Sequence, residues 1–209
     1  MAVEEYQSLI ERIVQEKGLK AIPKLLELLT DENEEVREIV LQTIHRFGDE
    51  AKEVLLKRFK EKVAESNKND VLTLYLVDIL SDMGEKSIKK DLYQLLNRYD
   101  YENAQIVIYE ALAKLGDGEK VIDILSYFML EDEYRAELAE QVAMALSHIP
   151  TSRALECLVK AYQDEQLKEA KPFILKAIAI ITMKDQQLWN HLQKISPKNL
   201  INDIQEFIS

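Results

Sequence analysis

The chain predicts an all-α protein built as an α-solenoid, a stack of antiparallel helix pairs, and three observations carry that expectation. Leu, Ile, Ala, Glu and Lys dominate the 209 residues, a composition that favours helix throughout. With 5 Gly and 4 Pro, turn formers are too scarce for a protein of many short strands. Finally, the helix ends recur. TIHRFGDEAKEVLL, DILSDMGEKSIKKDL, EALAKLGDGEKVIDIL and MALSHIPTSRALECL each set an apolar residue before a breaker, with an amphipathic helix just after it. The apolar markers Phe47, Met83, Leu115 and Ile149 fall 36, 32 and 34 residues apart, and a weaker marker, Met183, follows 34 further on. Two helices in each period of this length are the signature of stacked helical repeats.

Taken in order, the elements begin with a capping helix at about 3–17. The first pair, 19–48, holds two apolar stripes at helical spacing: Ile22, Leu25, Leu26 and Leu29, then Val36, Ile39, Val40, Thr43, Ile44 and Phe47. Pro23 falls in a first turn, where its missing N–H costs little. Between the stripes, TDENEE reads as a turn and capping box, with Asp31 accepting from free backbone amides and Glu34 reaching back. Asp70, Asp100, Asp132 and Asp164 stand before later second helices in the same way, and Gly48, Gly84 and Gly116 suit left-handed helix ends. Further pairs are expected at 50–84, 86–116, 118–149 and 151–183. A terminal pair follows at about 186–195 and 198–208, with Pro197 between its helices. The whole, 1–209, reads as a single repeat domain with no linker. The loop ESNKND, 65–70, is its most exposed and mobile candidate.

This organisation resembles the HEAT-repeat family, including its short bacterial variants. Pro23, Leu26, Leu29, Asp31, Val36, Arg37, Val40, Ile44 and Gly48 follow the family's pattern in the first unit. Later units keep the stripes but lose parts of the motif: the Val-Arg pair is absent from the second, third and fifth, and Pro150 replaces the glycine in the fourth. The resemblance implies a right-handed superhelix of antiparallel pairs, in which the second helix of each pair lines the concave surface. Such a degenerate motif supports a fold and no particular activity.

Charge and composition narrow the function classes. The net charge is -11, with 15 acidic against 11 basic side chains over 1–66, 16 against 8 over 67–150, and 7 against 8 over 151–209. Such a surface repels a phosphate backbone, so nucleic acid is not the expected partner. The start, MAVEEYQSLIERIV, has no basic n-region of a secretory signal. FILKAIAIITM is far shorter than the roughly 20 residues of a membrane span. With Cys157 as the single cysteine, no intramolecular disulfide can form, which agrees with a cytoplasmic location. Cys157 itself reads as a small buried filler.

Catalytic patterns are weak. His45, His148 and His191 lie in different units, too far apart for one metal ion. No Gly-x-Ser-x-Gly elbow or P-loop appears, and GDGEK at 116–120 lacks the required spacing. Among HEAT-like proteins, metal oxygenases carry His-Glu dipeptides, and this chain has none. Relatives that excise alkylated bases use a basic face, whereas this charge has the opposite sign, and Trp189 reads as a packed aromatic. Other relatives handle bilins as lyases or chaperone-like carriers, and this role, or another cofactor-handling one, is the alternative that the resemblance leaves open. No residue pattern of its own calls for a cofactor or a metal.

Aligning the second helices on their markers nominates the lining of the concave face. Glu38, Leu74, Ile106 and Glu140 share one position, and Gln42, Asp78, Glu110 and Met144 the next. His45, Ser81, Ala113 and Ser147 follow a turn later. Seven of the nine tyrosines (Tyr75, Tyr93, Tyr99, Tyr101, Tyr109, Tyr127 and Tyr134) fall in the most acidic third. An apolar-centred groove with an acidic rim suits a basic or amphipathic protein segment. The expected function is a non-catalytic protein-interaction module. Nothing in the sequence sets its oligomeric state.

Overall fold

The structure, a computed structural model, describes residues 2–197 and 199–208. Helices follow one another as α1 (Ala2–Lys17), α2 (Ile22–Leu28), α3 (Glu34–Phe47), α4 (Lys52–Glu65), α5 (Val71–Asp82), α6 (Lys89–Leu95) and α7 (Glu102–Leu112). Then come α8 (Gly118–Leu130), α9 (Arg135–Ser147), α10 (Ser152–Gln163), α11 (Lys171–Lys184), α12 (Gln186–Ile195) and α13 (Leu200–Ile208). Among the described residues there is no strand. Position 198, the expected start of the last helix, lies outside the described residues. The chain divides into two compact units, Met1–Tyr99 and Asp100–Ser209. The division falls inside the third expected pair, at a point where composition gives no break.

In the first unit, α1 and α2 both pack on α3, and α4 packs on α5. The two stripes of 19–48 supply this core: Ile22, Leu25, Leu26, Leu29, Val40, Thr43, Ile44 and Phe47 are buried. Each fully buried aliphatic or aromatic side chain contributes about 1.5–3 kcal/mol. The second unit has two layers. Helices α7, α9 and α11 form one row, α8, α10 and α12 the other, and α13 packs on α11. Each helix thus covers the apolar side of a neighbour, as stacked pairs must.

The helix ends correct one expectation and refine others. Asp31 does not cap α3. Its Oδ1 accepts from the Asn33 N–H at 2.9 Å, closing an Asx turn, and Asn33 then caps the helix by accepting from the Glu35 N–H at 2.9 Å. Glu34 is therefore the first helical residue, two positions too early to reach back as a capping box requires. Arg37 secures the same turn by donating to the Asp31 and Glu32 carbonyls at 2.6 and 3.0 Å, which gives the Val36-Arg37 pair its local purpose. Asp70 caps α5 through the Leu72 N–H, whereas Asp164 caps the 3-10 turn before α11. Tyr101 and Tyr134, without capping side chains, occupy the cap positions of α7 and α9. Gly48, Gly84 and Gly116 all take positive φ.

The loop 65–70 is exposed at Ser66, Asn67 and Lys68, yet it is firmly anchored. The Lys62 ammonium lies 2.7 Å from Asp70 Oδ2, and the Tyr99 hydroxyl donates to the Asp70 carbonyl at 2.9 Å. The Asn69 N–H donates to the Arg98 carbonyl, and the Arg98 guanidinium to the Val63 carbonyl, at 3.0 and 2.7 Å. This network ties together the corner that joins α4 to α5.

Candidate partner-binding face

The nominated side chains divide by depth. On α3, Glu38 and Gln42 are exposed, and the Gln42 amide donates to the Glu38 carboxylate at 3.2 Å. Both line a cleft of about 380 Å³ between α1 and α3, together with Tyr6, Gln7, Glu35 and Ile39. The Tyr6 hydroxyl donates to Glu35 across it. No cation enters this lining. On α5, Leu74 and Asp78 are half-buried. A second cleft of similar size lies among α2, α4 and the start of α5, where Pro23, Leu26, Val54 and Leu72 give apolar walls and Arg58 is held by Glu61 and Glu65.

In the second unit, Glu140 of α9 is exposed, while Glu110 of α7 and Met144 of α9 are half-buried. Ile106 is 0% exposed, which removes it from any solvent-facing wall. Downstream, the backbone is kinked at Gly116 (φ 94°, ψ 15°), where α7 gives way to α8. Ser81, Ala113 and Ser147 are buried as well, leaving His45 as the exposed member of that row.

Helices α7 and α9 run parallel in a constant register. The Gln141 amide donates to the Asn103 carbonyl at 3.0 Å, and His148 Nε2 lies 3.6 Å from Glu110 Oε1. Both pairs are 38 residues apart. Lys114 adds an ammonium 3.0 Å from the same Glu110 oxygen. Burial opposes the charge on Glu110, but the hydrogen bond from His148 and the Lys114 ammonium outweigh it and hold the carboxyl below its ordinary value. Glu110 is thus a tie between α7 and α9 and is committed to the fold. Sequence reading could not find this pairing, because the repeat spacing of 34 aligns Glu110 with Met144 instead.

Other nominated groups are structural. Cys157 is buried, and burial pushes its thiol up to about 11. His191 meets Glu156 at 2.9 Å between α12 and α10, and Trp189 is half-buried. Among the described residues no three His, Cys, Asp or Glu side chains gather as metal ligands, and no helix is long and apolar enough to cross a membrane.

Helices packed against one another in stacked pairs define the class: an all-α protein of the solenoid type. Residues 21–51, which span α2 and α3, match the HEAT repeat family model, in the unit where the motif is most complete. No curated protein and no solved structure matches the chain.

Proposed function

We propose that the protein is a non-catalytic interaction module whose second helices receive a basic or amphipathic segment of a partner protein. HEAT repeats are generally protein-interaction scaffolds. The observation that carries the reading is the cleft between α1 and α3, whose α3 wall lies inside the matched repeat. Its lining combines the carboxylates of Glu35 and Glu38, the Gln42 amide, the Tyr6 ring and the apolar Ile39, with no cation among them. An acidic cleft with an apolar floor accelerates encounter with cationic segments, while the apolar contact supplies affinity. Glu140, exposed on α9, extends the same chemistry to the second unit.

A synthetic amphipathic Lys-Leu helix tests this by titration against the full chain. Binding should weaken several-fold in a Glu38→Lys, Glu140→Lys variant and with rising salt, since exposed charges are screened. Binding that ignores both substitutions and salt counts against the proposal. Glu110 is unsuited to this test, because replacing it disturbs the tie to His148 and Lys114.

A further inference from the structure

The N-terminal ends of α7 and α9 hold an exposed aromatic pair in an acidic setting. Tyr101 is 64% exposed and Tyr134 51% exposed, an unusual solvent exposure for large rings that are not needed for packing. The 38-residue register sets Tyr101 beside residue 139 of α9, so the first turn of α9, beginning after Tyr134, overhangs the start of α7. Glu133, Glu102 and Glu137 all act on the Tyr134 hydroxyl, raising its pKa, and Glu140 is exposed further along α9. Arg135 is the single basic residue in 100–110 and 131–147. Its guanidinium is turned away, 3.3 Å from Asp164 and hydrogen-bonded to Gln166.

We infer that this edge docks an arginine-bearing segment of a partner protein, the guanidinium groups stacking on Tyr101 and Tyr134 while the surrounding glutamates pair with their charge. This rests on the interaction-module reading and gives it a second contact point. Guanidinium fits better than ammonium: it is planar, stacks on aromatic faces, and forks onto carboxylates, whereas lysine offers only a compact charge. Negative charge around exposed rings also disfavours an acidic or purely apolar occupant, which would bury these carboxylates without partners.

The test is calorimetric titration of a synthetic peptide of alternating Arg and Gly, and of its Lys-Gly counterpart, into the full chain. The Arg peptide should bind more tightly than the Lys peptide. A Tyr101→Ala, Tyr134→Ala variant should lose at least tenfold in affinity for the Arg peptide and erase the Arg preference. Both rings are exposed, so that variant should keep the parent's thermal midpoint, and circular dichroism verifies this. Unchanged Arg-peptide binding by the tyrosine variant overturns the inference. If binding is then lost in Glu38→Lys, the interaction-module proposal survives on its α3 cleft alone. If neither peptide nor the Lys-Leu helix binds the unsubstituted chain, both readings fall.

Discussion

Glu110 of α7 and His148 at the end of α9 meet at 3.6 Å, 38 residues apart in the chain, and Lys114 closes on the same carboxylate from its own helix at 3.0 Å. Replacing Glu110 by Gln keeps the shape and removes the charge that the Lys114 ammonium and the His148 ring face. The expected cost at pH 7 is about 1–3 kcal/mol, that of a lost charged hydrogen bond in a half-buried site. The folded carboxyl lies below its ordinary value, so the native state binds fewer protons than the unfolded chain. Its contribution is complete above the unfolded carboxyl's range and fades as pH falls through the depressed folded value. Urea midpoints of parent and Glu110→Gln should therefore differ at pH 7 and converge as pH falls through that depressed value. A gap that stays constant with pH would show that shape, and not charge, is at stake.

Asp70 serves two purposes at the α4–α5 corner, capping α5 and facing Lys62, which is only 11% exposed. Asp70→Asn should keep the cap and lose the ion pair, while Asp70→Ala loses both. The expected costs are about 1 kcal/mol for the pair and about 1 kcal/mol more for the cap. Hydrogen exchange of the first-turn amides of α5 checks the order: parent slowest, Asn intermediate, Ala fastest.

Gly118 packs its α-carbon against Ile149, and an added Cβ would meet Ile149 Cγ1 at 2.9 Å and Cγ2 at 3.0 Å. Its backbone is ordinary helix, so alanine would gain about 1 kcal/mol of helix propensity and lose about 1–3 kcal/mol to overpacking. Gly118→Ala should destabilise the parent but stabilise an Ile149→Ala background, a sign change that denaturation of the four proteins in this cycle reads directly. At Gly116 the reverse holds. There the space is open and φ is +94°, so Gly116→Ala costs about 1–2 kcal/mol from backbone strain alone, whatever stands at 149.

Much of the helix layout was legible because each pair's apolar stripes and breakers recur, and local spacing alone carries that signal. Pro23, the Asp70 cap and the positive-φ glycines were legible for the same reason. Asp31 misled because TDENEE offers two oxygen acceptors two residues apart, and only the turn geometry selects Asn33. Ile106 misled because counting from marker residues does not separate a lining position from a core one, and here the position is fully buried. The anchoring of 65–70 by Arg98 and Tyr99 joins positions about 30 apart, and the Glu110–His148 tie joins positions that the repeat alignment sets in different rows. Both depend on how helices lie against one another, which periodicity does not encode.

The offset between α7 and α9 bears on how this scaffold could be re-engineered or could diverge. Aligned positions in the two repeats differ by 34 residues, but residues that touch differ by 38, a slide of one helical turn. A substitution at Glu110 is therefore compensated at 148, not at its repeat counterpart 144. Transplanting α9 into the α7 slot by repeat alignment would strand every lateral partner one turn out of reach.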